Sequence, residues 1–154
     1  MKLKKFMQKK LKNEKGMTLI ELLAVIVILA IIAAIAIPAI GNIIENSRVG
    51  AVKSDYINAL AATDLYLLDY PADTTVTLEN LTGTDDAGDP IEVYLSDTGS
   101  LDLFTYLPAS KTFTGEATAN NVTLDAAAGT SKGDISGIAN SAEAGPYGTV
   151  TLGR

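Results

Sequence analysis

The sequence predicts an α+β protein: a long N-terminal α-helix, hydrophobic in its first half, with a small C-terminal antiparallel β-sheet domain packed on its second half. Three observations carry that expectation. Leu22 to Gly41 is a run of twenty residues without a charge, and a helix of that length spans about 30 Å, the thickness of a bilayer's hydrocarbon core. Apolar residues then recur at three- and four-residue steps as far as Pro71, the period of an amphipathic helix. Beyond Pro71 the chain turns rich in Thr, Gly, Asp, Ala and Asn, with short alternating segments between turn residues, the pattern of strands half-buried on one face.

The elements follow in order. Residues 1–16 hold seven lysines (Lys2, Lys4, Lys5, Lys9, Lys10, Lys12, Lys15) and one acid, Glu14, a side-chain charge of +6. Everything after Gly16 holds five basic groups (Arg48, Lys53, Lys111, Lys132, Arg154) and 17 acids, a charge of −12. A chain split so sharply by sign has ends that face different surroundings. Lysines ahead of an apolar run follow the rule that positive flanks stay cytoplasmic, which places the remainder outside. The apolar run has no polar face, so it is not a surface amphipathic helix.

The second periodicity comprises Ile44, Val52, Tyr56, Leu60, Thr63, Leu67 and Tyr70, with Val49 and Ala59 beside them; Glu45, Arg48, Lys53, Asp55 and Asp64 fall between. Pro71 ends the helix, because the residue before a proline disfavours helical geometry. A helix from about Thr18 to Tyr70 would be near 80 Å long at the standard rise, and its first half needs lipid or neighbouring subunits around it. The expected segments are 1–16 as a basic leader, 17–41 as the hydrophobic helix, 42–70 as its amphipathic continuation and 71–154 as a β-rich domain. Within that domain, Thr75–Leu81, Ile91–Leu95, Asn121–Leu124 and Thr149–Leu152 read as strands, Asp85–Asp89 as a hairpin turn and residues 126–146 as loop. A lone hairpin is marginal without a helix to cover it, so the sheet is expected to pack on the helix.

Composition narrows the chemistry. The chain has no Cys, His or Trp, which removes disulfides, thiolate chemistry and the commonest general base and transition-metal ligand. No Ser/His, metal or phosphate-cradling arrangement is visible, so no enzyme activity and no cofactor are expected. Asp85, Asp86 and Asp89 carry oxygens suited to Ca²⁺, but the run lacks the spacing and closing Glu of an EF-hand loop, and a solvated turn explains it. The six tyrosines read as core packing with hydroxyls at the rim. A −12 chain is a poor direct ligand for nucleic acid, which needs clustered Lys/Arg to neutralise phosphates.

The informative junction is Lys15-Gly16-Met17-Thr18-Leu19-Ile20-Glu21. A single carboxylate sits where the lipid-embedded helix should begin, and such a group is costly unless paired or near an interface. Cutting the chain after Gly16 would create an ammonium on Met17, one helical turn from Glu21. The Met17 ammonium of a neighbouring subunit could then neutralise Glu21 when subunits stagger. That pairing would set axial register more than raw stability, because desolvation offsets much of the attraction.

The stretch KGMTLIELLAVIVILAIIAAIAIPAI resembles the class III signal region of type IV prepilins and pseudopilins. The resemblance is close over roughly Lys12 to Ile44. It implies cleavage by a prepilin peptidase between Gly16 and Met17, N-methylation of Met17, an assembly role for Glu21 with Thr18 beside it, and a family proline at Pro38. Pro38 lacks an N–H and frees the Ala34 carbonyl; with Gly41 close behind, a kink or local melting is expected there. The family's commonest first mature residue is Phe, and Met17 departs from it. The C-terminal disulfide of many Gram-negative pilins is impossible in a chain without Cys, and the lysine-rich leader resembles those of Gram-positive pilins and competence pseudopilins.

What the resemblance implies is a structural pilin that waits in the cytoplasmic membrane as a single-pass protein, in contact with lipid, with its C-terminal domain outside. The pilus assembly machinery then moves it into a helical homo-oligomeric filament at the cell surface. A pseudopilin of a type II secretion or competence DNA-uptake machine is the alternative, and a membrane-anchored extracellular domain a further one. A secretory signal peptide would also explain the basic start, with Ala34-Ile35-Ala36 as its cleavage site, but its apolar region is ordinarily 7–15 residues with no acid at its head. An uncut anchor explains length and charge and leaves Gly16 and Glu21 as coincidences.

Overall fold

The computed structural model describes residues 18–140 and 148–152. Its elements are α1 (Leu19–Asp69), β1 (Val76–Thr77), α2 (Leu78–Thr82), β2 (Leu101–Leu107), β3 (Thr112–Ala119), β4 (Val122–Thr130), α3 (Lys132–Gly137) and β5 (Gly148–Leu152). The fold is α+β, with a long N-terminal helix and an antiparallel sheet. The chain divides after Gly41 into two compact units, and α1 contributes to both.

In the first unit the described part is helix only. Its large apolar side chains, from Leu19 and Ile20 through Leu22, Ile28 and Ile35 to Ile40, are exposed. This helix is long and apolar enough to cross a membrane. The helix passes through Pro38 and Gly41 without interruption.

In the second unit α1 lies on one face of a five-stranded sheet whose order follows the chain, β1-β2-β3-β4-β5, with every pair antiparallel. The periodicity expected from sequence is the buried face: Val49, Val52, Tyr56, Ala59, Leu60 and Thr63 are covered, and Leu67 and Tyr70 pack at the margin. Ile44 is instead exposed, and Tyr66 joins the core. Thr63 is tolerated there because its hydroxyl donates to the Ala59 carbonyl at 2.8 Å, one helical turn back. One further backbone bond, Tyr70 N–H to Tyr66 O at 2.9 Å, closes the helix before Pro71.

The sheet supplies Phe104, Phe113, Ala117, Val122, Leu124 and Ala126 to the same core. Tyr56 meets Phe113 with ring centroids 5.4 Å apart, and Phe113 meets Phe104 at 5.6 Å. Room for the Tyr56 ring comes from Gly115: a Cβ there would lie 2.9 Å from Tyr56 Cε1 and 2.6 Å from the Leu103 carbonyl oxygen. The Tyr56 hydroxyl donates to the Leu124 carbonyl at 3.1 Å, which satisfies the one polar atom the ring carries inward.

Several local expectations are overturned. Thr75–Leu81 is not a strand: only Val76–Thr77 pairs, and α2 follows at once. Thr77 accepts from the Asn80 N–H while the Asn80 side chain accepts from the Thr77 N–H, a capping box whose two bonds favour helix over the weak alternation of the segment. Ile91–Leu95 is not a strand either; the N–H groups of Tyr94 and Leu95 both donate to the Leu81 carbonyl, at 3.0 and 2.8 Å. The Asp85–Asp89 turn therefore joins no strands and closes on an isolated bridge between Thr84 and Pro90. The stretch expected as loop from 126 holds the end of β4 and the whole of α3. β2 and β3 fall where no strand was expected, and β5 falls where one was.

Candidate functional site

The head of α1 is built by two side chains. Glu21 Oε2 accepts from the Thr18 N–H at 2.7 Å and from the Thr18 hydroxyl at 2.8 Å, and the Glu21 N–H donates to Thr18 Oγ1 at 3.3 Å. These are the reciprocal bonds of a capping box. They begin the helix after Thr18, and the negative carboxylate lies at the positive end of the helix dipole. Both residues are exposed. Gly16 and Met17, the expected cleavage and methylation positions, lie outside the described residues. Pro38 and Gly41 lie within α1, and no neighbouring atom approaches within 4 Å of where a Gly41 side chain would begin.

Asp85, Asp86 and Asp89 do not converge. Asp85 Oδ1 accepts from the N–H groups of Ala87 and Asp89, at 2.9 and 2.7 Å, and Asp86 Oδ1 accepts from Asn80 Nδ2 at 3.0 Å. The Asp85 carboxylate serves the turn, and that of Asp86 ties the turn to Asn80 of α2. Among the described residues no three acidic side chains are grouped to hold a metal ion.

Polar residues to which the sequence assigns no site role prove to be tethers. Arg48 donates to the Asn121 side-chain oxygen, and Asn121 Nδ2 donates to Glu45 at 3.2 Å, which clasps the β3–β4 turn to α1. Lys53 donates to the Ile138 carbonyl and to Asn140 Oδ1, the latter at 3.3 Å. Asp55 Oδ2 accepts from the N–H and hydroxyl of Ser100 at 2.8 and 2.6 Å, so it caps the loop that enters β2. Asn80, only 2% exposed, is the hub of the α2 region: its Nδ2 donates to Asp86, and its Oδ1 accepts from the Thr77 N–H and hydroxyl, each at 2.7 Å. The one signal for these roles in sequence is charge or amide placed on the helix between apolar steps, which does not specify a partner.

Ionisation follows burial and neighbours. Burial, and then the Asp125 carboxylate, push the Tyr56 hydroxyl well above its usual range. Burial and the hydrogen bond with Asp73 do the same for Tyr66, and the bond with Asp69 does it for Tyr94. In the α3 capping box the Ser131 hydroxyl and N–H hold the Asp134 carboxyl below the ordinary carboxylate range.

The arrangement is an apolar helix long enough to cross a membrane, headed by a carboxylate in a capping box, whose later turns form the spine of a small β-sheet unit. The family model for the prokaryotic N-terminal methylation motif matches residues 11–37. That motif is the class III signal peptide of type IV pilins and pseudopilins, a structural rather than enzymatic family, and it supports a type IV pilin-like or pseudopilin precursor that meets a prepilin peptidase and an assembly machinery. Motif and apolar helix together fit a membrane-anchored pilin. No curated protein and no solved structure matches the chain.

Proposed function

We propose that the chain from Met17 onward is the structural subunit of a type IV pilus-like surface filament. The leader 1–16 is removed between Gly16 and Met17, Met17 is N-methylated, and segment 17–41 moves from lipid into the filament core. Segment 42–70 continues the helix and 71–154 forms the outer domain. The observation that supports this most is the match of the methylation motif over 11–37, because it ties a cut site to an apolar helix that has no cover of its own within the described residues. Glu21 supplies the counter-charge for a neighbour's Met17 ammonium, and Thr18 holds that carboxylate until the neighbour arrives. Pro38 and Gly41 supply a place where the helix loosens on assembly; Pro38→Ala should alter filament packing as seen by electron microscopy.

The test is to purify surface appendages and sequence their N-terminal peptide. A start at methylated Met17 supports the pilin; a start at Ile37 points to a secretory signal peptide, and an intact lysine-rich leader to an uncut anchor. A pseudopilin of a secretion or DNA-uptake machine carries the same motif and would form short stubs instead of long filaments. With a charge of −12 beyond Gly16, contact with DNA in that setting falls to other subunits.

A further inference from the structure

We infer that the β2–β3 turn of one copy, carrying Lys111, seats in a cleft between α2 and the beginning of β2 of the next copy. This rests on the filament reading and specifies a contact between its outer domains.

The cleft exists because β1 is short. It pairs with β2 only at Tyr106 and Thr105; at Thr77 the chain caps α2 and turns away. Over Leu101–Phe104 the side of β2 facing β1 is paired with no strand of the described residues, and a cleft of about 400 Å³ opens there. Thr77, Leu78, Glu79, Thr98, Asp102 and Leu103 line it. The register slips by one residue at Asp102, a bulge of the kind that ends pairing and re-aims side chains. Leu103 is 54% exposed. The carboxylates of Glu79 and Asp102 are exposed, and neither has a hydrogen-bond or ion-pair partner among the described residues. The cleft thus presents aliphatic walls, hydroxyls and two negative charges, which suits a lysine with its apolar stem and charged tip.

The complementary feature lies at the far end of the same strand. Lys111 is exposed in the turn after β2, with φ 55°. Among the described residues every other position with positive φ is Gly or Asn (Gly83, Gly88, Gly99, Gly129, Asn120), the residues that adopt it at least cost. Of the four basic side chains described, Arg48 and Lys53 are tied inward, while Lys111 and Lys132 have no partner among the described residues. Antiparallel pairing puts β2's end, β3's start and β4's end together, so both outward lysines mark one end of the sheet. The acidic cleft lies at the other, roughly 20 Å away along β2. A contact between opposite ends of one strand uses two different surfaces. It is heterologous, does not close, and repeats along an axis.

The chain has no Cys, so engineered disulfides report one geometry. In filaments of the full-length chain, Ser110→Cys with Thr98→Cys leaves Lys111, Glu79 and Asp102 in place. Mild oxidation should give a ladder of covalent multimers, and neither single variant should give more than dimers. Filaments of the double variant that stay monomeric or stop at dimers overturn the inference, as does trapping of Thr98→Cys on a different protein identified by mass spectrometry. Independently, Lys111→Glu should lower filament yield by about tenfold through like-charge contact, and Lys111→Glu with Asp102→Lys should recover it; an unchanged yield from Lys111→Glu also overturns it. Absence of filaments from the unaltered chain would instead remove the filament reading and this contact with it.

Discussion

The carboxylate of Glu21 holds both the backbone N–H and the hydroxyl of Thr18, at 2.7 and 2.8 Å. One side chain therefore has two possible partners in the proposed life of the protein: its own helix terminus, and the ammonium of a neighbour. Glu21→Gln separates them. A glutamine keeps the reciprocal bonds of a capping box and loses the charge. The expected outcome is a variant that is cleaved and inserted normally but yields no filaments, as expected also for Glu21→Ala. Processing is read by the N-terminal peptide and assembly by electron microscopy. Normal filaments from Glu21→Gln would leave capping as the residue's whole role.

Gly115 and Tyr56 form a matched pair in the core. A methyl group at 115 meets the Leu103 carbonyl oxygen at 2.6 Å and the tyrosine ring at 2.9 Å, and neither gives way easily. Gly115→Ala should destabilise the full-length chain in detergent by about 1–3 kcal/mol, the usual range for overpacking. Thermal melts followed by circular dichroism measure it. Tyr56→Phe combined with Gly115→Ala should recover little, because the backbone clash remains.

Asn80 bonds both ends of the α2 region. Asn80→Ala leaves the Thr77 N–H and the Asp86 carboxylate without their partner in a place where Asn80 itself is 2% exposed. A loss of about 2 kcal/mol is expected from the unsatisfied groups. Asn80→Asp keeps the acceptor for Thr77 but sets a negative charge against Asp86. Its deficit should therefore shrink on acidification through the carboxylate range, whereas that of Asn80→Ala should not follow the same trend.

Alkaline stability follows from the tyrosines. A hydroxyl whose folded pKa is raised above its ordinary value of 10.0 favours the folded state fully below that pH. The contribution is lost as pH rises from there toward the folded value. Tyr56 and Tyr66 share this direction, chiefly through burial. Melting temperature should fall steadily above pH 10. Tyr56→Phe should flatten part of that fall while lowering stability at neutral pH through the lost bond to the Leu124 carbonyl.

The helix was legible because its causes are local. Periodicity and a proline at the end need no knowledge of the rest of the chain, and α1 ends at Asp69, two residues before Pro71. β2 and β3 were hidden for reasons that lie in three dimensions. The bulge at Asp102 places Leu101 and Phe104, three residues apart, on the same buried face, which destroys the alternation that marks a strand. In β3 the inward positions after Phe113 are Gly115 and Ala117, and at Gly115 the ring of Tyr56 from α1 takes the space, so little apolar pattern survives in sequence.

By itself the sequence determined the charge division at Gly16, the helix with its apolar first half, the carboxylate at its head and the presence of a sheet beyond Pro71. The fold decided the strand register, the conversion of Leu78–Thr82 to helix, and the employment of Glu45, Arg48, Lys53 and Asp55 as tethers. The reason is range. Helical periodicity and capping act within one or two turns, whereas a sheet bond or tether joins residues up to 87 positions apart, and which ones meet is settled only when the core packs.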